Sequence, residues 1–215
     1  MIELIHMDCM DYMRSLPDNA FELAIVDPPY GINVGAKPMS SKWGSSKLER
    51  KDWDKSIPKD EYFLELRRVS KDQIIWGGNY FSCLWPTRAF IVWDKGAGFK
   101  NRSFAEGELA WSSFERNAKI YNHDPLAFGD YKGKIHPTQK PVKLYQWLLS
   151  NYAKPGYRIL DTHLGSGSSA IAAHYAGHDF VGIELDEDYF KAASKRIDNE
   201  TRQVDIFADH SEADE

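Results

Sequence analysis

The chain lacks the features that define several classes of protein. It has only two cysteines in 215 residues, Cys9 and Cys83, which is too few for a disulfide framework or a cysteine metal site. No apolar run approaches the ~20 residues that a membrane-spanning helix needs. The first residues show no basic segment before an apolar core, so we expect no signal peptide. These absences predict a cytoplasmic protein that does not associate with membranes.

An excess of basic residues is also missing, which at first argues against a nucleic-acid partner. The formal net charge is −5, but residues 197–215 hold seven acids and one base, and the rest of the chain has 26 bases and 25 acids. Residues 37–55 carry six bases against three acids, which makes a weak basic patch. On charge alone, a solvated lysine-bearing loop explains this segment equally well.

Short apolar runs alternate with amphipathic segments along the chain, which is typical of an α/β protein. Strands are predicted at 2–7, 23–26, 74–76, 89–93, 108–112, 119–121, 158–160 and 179–183. Helices are predicted at 11–16, 59–71, 142–152, 169–176 and 187–197. The length suits one domain, over residues 1–197, followed by a loose acidic tail, 198–215.

The most informative stretch is Asp27-Pro28-Pro29-Tyr30, which follows the apolar run 23–26. In parallel α/β sheets, ligands bind just beyond the carboxyl ends of strands. Both prolines fix the backbone and leave their carbonyls free as acceptors beside a carboxylate, while Tyr30 offers a flat face. These groups suit a planar ring that bears an exocyclic amine. A proline-rich turn without a function is the alternative.

Two further segments have a composition that suits nucleic-acid contact. Residues 31–58 are too long and too polar for a routine connection, and such loops are usually functional lids or disordered. Residues 94–135 interleave basic and aromatic side chains, which suits a nucleic-acid surface or an ordinary β-rich edge of a domain.

The second half of the chain has the pattern of a nucleotide-binding βαβ unit. A strand ends in Asp161, a turn with Gly165 and Gly167 follows, then a helix, and the next strand ends in Glu184. The glycines allow close approach of a ligand, the helix N-terminus favours a negative group, and Glu184 can accept hydrogen bonds from ribose hydroxyls. The third glycine of the dinucleotide fingerprint is missing, which favours a different adenosine-containing ligand over NAD or FAD. His174 and His178 have metal-ligand spacing, but Gly177 between them breaks the helix, so no metal site is predicted.

Taken together, these stretches make the chain resemble the DNA amino-methyltransferases that use S-adenosylmethionine. The resemblance is to the permuted class, in which the catalytic tetrapeptide precedes the glycine loop. Four stretches carry it: Asp8 in its short motif, the tetrapeptide 27–30, the run His136-Pro137-Thr138-Gln139-Lys140-Pro141, and 161–168 with Glu184. The resemblance implies a Rossmann-like fold with a mostly parallel central sheet, helices on both faces and a circularly permuted motif order.

The resemblance also implies roles for individual residues. Asp27 and the Pro28 carbonyl would accept hydrogen bonds from the amine of a flipped base, Pro29 would hold the turn rigid, and Tyr30 would stack on the base. The cofactor-binding residues would be Asp8, Lys140, Pro141, Asp161, His163, Gly165, Ser166, Gly167 and Glu184. His163 replaces the phenylalanine that is usual before the glycine loop. Phosphate contacts are expected from the basic side chains of the long loop: Lys37, Lys42, Lys47, Arg50 and Lys51.

An aspartate at the first tetrapeptide position usually accompanies adenine N6 methylation in this family. The resemblance therefore implies a site-specific, adenine-specific DNA methyltransferase of a restriction-modification type, with DNA as its partner. Cytosine N4 methylation, methylation of an RNA amine and a non-catalytic DNA-binding role on the same fold stay open. The resemblance also implies a catalytic half, 1–93, a short target-recognition region, 94–135, and a cofactor half, 136–197. The brevity of the middle region implies loose or short sequence recognition, or a homodimer or partner subunit.

Overall fold

The computed structural model describes residues 1–33 and 51–208, with side chains described up to residue 202. Every predicted strand and helix is present, and all but the last helix lie within a few residues of their expected bounds. The strands are β1 Ile2–His6, β2 Phe21–Val26, β3 Ser70–Trp76, β4 Ile91–Asp94, β5 Gly107–Ser112, β6 Lys119–Asn122, β7 Arg158–Asp161 and β8 Asp179–Glu184. The helices are α1 Cys9–Arg14, α2 Asp60–Val69, α3 Val142–Tyr152, α4 Ser168–Tyr175 and α5 Glu187–Ala208. Among these helices, none is long and apolar enough to cross a membrane.

The strands form one eight-stranded sheet in the order β1-β8-β7-β2-β3-β5-β4-β6. The pairing is parallel except at β5, which runs antiparallel to both β3 and β4. Strand order reverses between β7 and β2, which pair through Leu23 with Ile159 and Ala24 with Leu160. Ligands bind at such a switch point in open α/β sheets, so this reversal fixes where the site lies.

Helices cover both faces of the sheet. The buried side chains of β2 therefore alternate between two cores, one on each face. Leu23 and Ile25 pack in the core that includes side chains of α3, α4 and α5. Ala24 and Val26 pack in the core that includes side chains of α1 and α2. The predicted fold class, a Rossmann-like α/β fold with a mostly parallel sheet between two helical layers, is confirmed.

The last helix is longer than the sequence predicted. Helix α5 continues past Ile197 to Ala208, where a loose acidic tail was expected. Pairs one turn apart support the extension: Arg196 with Glu200 at 2.9 Å and Arg202 with Asp198 at 3.5 Å. The sequence prediction counted acids as a block and missed these alternating charges.

Candidate active site

The two strand ends that the sequence singled out border one crevice. Because β2 and β7 are neighbours and parallel, Asp27 and Asp161 leave the sheet at the same edge. A cavity of about 430 Å³ opens there. Eight of the predicted site residues line it: Asp8, Asp27, Pro29, Lys140, His163, Gly165, Ser166 and Glu184. Asp27 and Pro29 of the tetrapeptide therefore face the same space as Gly165 of the glycine loop, whereas Pro28 and Tyr30 do not line the cavity.

The tetrapeptide is held by a residue that sequence reasoning missed. Asp54 is 2% exposed, and its Oδ1 accepts hydrogen bonds from the backbone N–H groups of Tyr30 at 2.8 Å and Gly31 at 2.9 Å. The carbonyl of Asp54 also accepts from the N–H of Asn33. Pro28 and Pro29 have no N–H to donate, so the backbone hydrogen bonds at this turn come from Tyr30 and Gly31, and Asp54 accepts both of them. No sequence signal distinguished Asp54 from the neighbouring loop acids.

Tyr30 lies in a tight aromatic pocket. Its hydroxyl donates to Oδ1 of Asp27 at 2.5 Å, and its ring is stacked on Tyr80 with 4.9 Å between centroids and 12° between planes. On the same side of the sheet, Gly77 leaves no room for a side chain, since a Cβ there would lie 2.2 Å from the ring of Tyr30. Tyr30 therefore orients Asp27 directly, in addition to the stacking role that the sequence predicted.

A chain of alternating buried charges ends on Asp27. The ammonium of Lys140 donates to Oδ2 of Asp27 at 2.5 Å and lies 3.1 Å from Oε2 of Glu108. Oε1 of Glu108 pairs with Lys95 at 2.6 Å. The side chain of Lys140 is 2% exposed. Sequence reasoning placed Lys140 at the cofactor pocket and missed Glu108 and Lys95 altogether. The sequence feature that could have indicated Glu108 is its position as an acid near the start of β5, a strand that is otherwise mostly apolar.

The pKa values of this cluster follow from burial and pairing. Burial alone would raise the pKa of Glu108, but the ammonium groups of Lys140 and Lys95 outweigh it and lower that pKa to about 2. Burial raises the pKa of Asp27, and Lys140 opposes the rise. Burial would lower the pKa of Lys140, but Asp27 and Glu108 together raise it. Lys140 is therefore a buried cation between two carboxylates.

The run 136–141 forms a compact turn that carries Lys140 to Asp27. The side chain of Gln139 accepts from the N–H of Ile135 at 3.1 Å and donates to the carbonyl of Asp130 at 3.3 Å. The N–H of Thr138 donates to Nδ1 of His136 at 3.3 Å. Burial lowers the pKa of His136 to about 3, so its ring is neutral at physiological pH. Pro141 is the residue before α3 and does not line the cavity.

The glycine loop is shaped by Glu184 and by helix α5. Oε2 of Glu184 accepts from the N–H of Gly165 at 2.9 Å, and Oε1 accepts from the N–H of Asp186 at 3.0 Å. Gly165 and Gly167 both have positive φ, at 53° and 76°. A Cβ on Gly167 would lie 2.8 Å from Ile197, so this glycine serves the approach of α5. Of these two glycines, only Gly165 lines the cavity.

Asp161 lies behind the loop. It is 1% exposed, and its carboxylate accepts from the N–H of His163 at 3.0 Å and from the hydroxyl of Ser169 at 2.6 Å. Burial raises its pKa to about 7. Asp161 does not line the cavity, although the sequence placed it at the methionine end of the cofactor. In the structure it fixes the turn that carries His163.

Asp8 and His163 also line the cavity. Asp8 caps α1, and its Oδ1 accepts from the N–H of Met10 at 2.7 Å. Nδ1 of His163 lies 2.9 Å from Oγ1 of Thr162, which is 2.6 Å from the hydroxyl of Tyr62. Burial lowers the pKa of His163 to about 4, so a neutral ring faces the cavity. The wall contains an aromatic group at the position where the family usually has phenylalanine.

The described end of the long loop contributes Trp53 to the wall of the cavity. Lys51 pairs with Asp186 at 2.5 Å and with Asp188 at 2.8 Å, and its side chain is 18% exposed. This pairing argues against the phosphate contact that the sequence predicted for Lys51. Trp53 and Tyr189 line the cavity on either side of His136, with ring centroids 5.2 and 4.4 Å from its ring. Lys37, Lys42, Lys47 and Arg50 lie outside the described residues.

A sequence profile of a DNA methylase family, named for N6 and N4 methylation, matches residues 73–195. The chain belongs to this family. It is 27% identical over 219 residues to YubD of Escherichia coli K12, which is described as a methylase. It is 24% identical over 242 residues to the type II methyltransferase M2.DpnII of Streptococcus pneumoniae. Each alignment covers 92% of this chain and 90% of the relative.

Solved structures of DNA methyltransferases share the fold. The complex of M1.HpyAVI with S-adenosylmethionine matches with a TM-score of 0.61 and 19% identity, over 91% of this chain and all of that one. The cytosine-N4-specific PvuII methyltransferase matches with a TM-score of 0.55 and 13% identity, over 94% of this chain and 92% of that one. Family membership and fold agree, and they leave adenine N6 and cytosine N4 as the two DNA amines to be distinguished.

Proposed function

We propose that this DNA methyltransferase transfers a methyl group from S-adenosylmethionine to the N6 amine of adenine in DNA. The observation that carries the proposal is the position of Asp27, a carboxylate at the wall of the cavity that also holds Gly165 and Glu184. A carboxylate followed by a fixed proline carbonyl presents two acceptors to an amine with two hydrogens. An aspartate at this position is usual for adenine enzymes of the resembled family.

An adenine amine is a weak nucleophile, because its lone pair is delocalised into the ring. Asp27 and the carbonyl of Pro28, by accepting both amine hydrogens, favour a tetrahedral nitrogen whose lone pair points away from them. The contribution of these groups is mainly orientation, which can account for a large part of a barrier. Tyr30 and Lys140 hold the Asp27 carboxylate from two sides, so its direction is fixed before the base arrives.

The cofactor end of the cavity suits S-adenosylmethionine. The cavity of about 430 Å³ is within the range of small-molecule sites. Glu184 lies at its wall with a carboxylate for ribose hydroxyls, and the rings of His136 and His163 are neutral, so they add no positive charge to a site for a cationic ligand. When bound, S-adenosylmethionine supplies a methyl group made electrophilic by its sulfonium. Asp8, Ser166 and Trp53 would complete the wall around the ligand.

The target base must leave the duplex to reach Asp27, at a cost of roughly a few kcal/mol. Stacking on an aromatic side chain returns about 1–3 kcal/mol per base. Tyr30 is the expected stacking partner. Because Tyr80 now occupies one face of Tyr30 and is 42% exposed, a base that stacks on that face requires Tyr80 to move. Lys37, Lys42, Lys47 and Arg50 remain proposed phosphate contacts.

Glu184→Ala tests the cofactor end of this proposal. The substitution removes the proposed ribose acceptor and the carboxylate that holds the N–H groups of Gly165 and Asp186. We expect the affinity for S-adenosylmethionine to fall about 10–100-fold, since hydrogen bonds to a charged group contribute about 1.5–3 kcal/mol each. Calorimetric titration of each variant with S-adenosylmethionine measures this affinity. Glu187→Ala, three residues along the chain in an exposed ion pair with Lys191, is the matched control and should bind normally. Unchanged affinity in Glu184→Ala would remove Glu184 from the ribose role.

Transfer of a labelled methyl group to three nucleic acids tests the function. Duplex DNA, single-stranded DNA and single-stranded RNA are incubated separately with the protein and S-adenosylmethionine labelled in its methyl group. We expect incorporation into DNA and none into RNA. Incorporation into RNA alone would favour methylation of an RNA amine. Binding of DNA without any incorporation, in a protein that also fails to bind the cofactor by calorimetry, would favour a non-catalytic role.

A further inference from the structure

The charge chain that ends on Asp27 is built more elaborately than a structural ion pair requires. It contains two cations and two anions in alternation: Lys95, Glu108, Lys140 and Asp27. Lys95 follows β4, Glu108 lies on β5, Lys140 belongs to the turn 136–141, and Asp27 follows β2. Lys140 and Lys95 are among the most buried charged side chains of the described residues, at 3% and 7% exposure. Burying charges is costly, so such a cluster indicates a constraint beyond packing.

We propose that Lys140, held in place by Glu108 and Lys95, is the counter-ion that keeps Asp27 ionised and correctly oriented for the amine of the target base. The inference rests on the proposed function and deepens it. Lys140 acts through Asp27 and is a positioning residue; it replaces the cofactor-binding role that the sequence suggested for it. Glu108 and Lys95 position Lys140 in turn.

The physical reason is the environment of Asp27. A buried carboxylate tends to take up a proton, and a protonated Asp27 would present a hydroxyl in place of an acceptor lone pair. Lys140 offsets this because its ammonium donates directly to Oδ2. The other ionisable groups that act on Asp27 or are affected by it are Glu108, Tyr30, Asp161, Tyr62 and Tyr145. All of these are acids, so Lys140 is the one cation among these partners.

Glu108 has two opposing effects on Asp27. Its negative charge raises the pKa of Asp27 directly. Its ion pair with Lys140 holds the ammonium at the carboxylate, and Lys95 neutralises the charge that Glu108 brings. Removing the Lys140 charge and removing the Glu108 charge should therefore shift the pKa of Asp27 in opposite directions. These shifts follow from the two charges alone, so the kcat pH profile of the two variants is the measurement that separates a catalytic role of the cluster from a structural one.

The test is the pKa of Asp27 itself, measured by ¹³C NMR on protein labelled at the aspartate side-chain carboxyl, with Asp27→Asn identifying the resonance. In Lys140→Met we expect the pKa of Asp27 to rise by about 1–3 units, the effect of an adjacent opposite charge. In Glu108→Gln we expect it to fall. Lys140→Arg keeps the cation and should stay near the wild-type value. An unchanged pKa in Lys140→Met, or a rise in Glu108→Gln, would overturn the proposal.

The design separates this proposal from the proposed function. The NMR titration needs neither cofactor nor DNA, so it can succeed even if no methyl transfer is found. If Lys140→Met does not fold, Lys140→Gln is titrated in its place, and an unchanged pKa of Asp27 in that variant would overturn the proposal. In an active enzyme, kcat should fall as the pH drops through the pKa of Asp27. The acid limb of the kcat profile should then move to higher pH in Lys140→Met and to lower pH in Glu108→Gln. Normal cofactor affinity in both variants would exclude a cofactor-binding role for Lys140.

Discussion

Replacing Asp27 by alanine is expected to reduce kcat for methyl transfer by at least about 100-fold, because misplacement of a reacting group by 1 Å alone can cost that much. The affinity for S-adenosylmethionine should change little, since Gly165 lies in the loop after β7 and Glu184 ends β8, whereas Asp27 follows β2. Asp27→Asn should be nearly as inactive, because its amide can turn a donor toward the amine. Single-turnover kinetics and calorimetric titration measure the two effects separately.

The loss of Asp27 also carries a cost in stability. It leaves the buried ammonium of Lys140 with Glu108 alone, and breaking a buried ion pair costs about 3–5 kcal/mol. A lowered melting temperature should therefore accompany the loss of turnover. Asp198→Asn, in an exposed pair on α5, is the matched control and should change neither quantity. Normal turnover in Asp27→Ala would mean that the catalytic assignment is wrong.

Gly77→Ala is expected to have the second largest effect, although the residue touches neither predicted ligand. A methyl group there would lie 2.2 Å from one carbon of the Tyr30 ring and 2.5 Å from the next. Tyr30 must then shift, and with it the hydroxyl that holds Oδ1 of Asp27. We expect kcat to fall about 100-fold, with the affinity for S-adenosylmethionine nearly unchanged. Methyl-transfer kinetics and calorimetry provide the measurement.

A second glycine separates this clash from backbone strain. Gly77 has a φ of 71°, and Gly156 has a φ of 82° with no atom within 4 Å of its own Cβ position. Gly156→Ala therefore introduces the strain of a left-handed alanine, of order 1 kcal/mol, without a steric contact. It should lower stability slightly and leave kcat unchanged. Equal kcat values for the two variants would contradict the account of Tyr30.

The sequence was sufficient to predict the fold and the place of the site. Apolar runs of the correct length predicted the strands, and polar residues at their ends, Asp27, Asp161 and Glu184, predicted the crevice. That prediction needed β2 and β7 to be neighbours at the reversal of strand order, which they are. The apolar runs contain this information because the central strands β2 and β7 are buried on both faces and, being parallel, end at the same edge of the sheet.

The partners of the site residues could not be predicted in the same way. Asp54 and Glu108 reach the site from a loop and from the antiparallel strand β5, and only the folded chain brings them to Tyr30 and Lys140. Likewise, the sequence predicted that Lys51 contacts phosphate, but in the structure its ammonium pairs with Asp186, 135 residues along the chain. Local patterns report which residues end a strand, whereas these contacts depend on how distant segments meet.

The mass of the methylated nucleoside tests the central claim most directly. Unmethylated duplex DNA is incubated with the protein and S-adenosylmethionine, digested to nucleosides and analysed by mass spectrometry, with Asp27→Ala in parallel. The account predicts N6-methyldeoxyadenosine from the native protein and none from the variant. N4-methyldeoxycytidine as the product would contradict the assignment to adenine, and an equal yield from Asp27→Ala would contradict the mechanism.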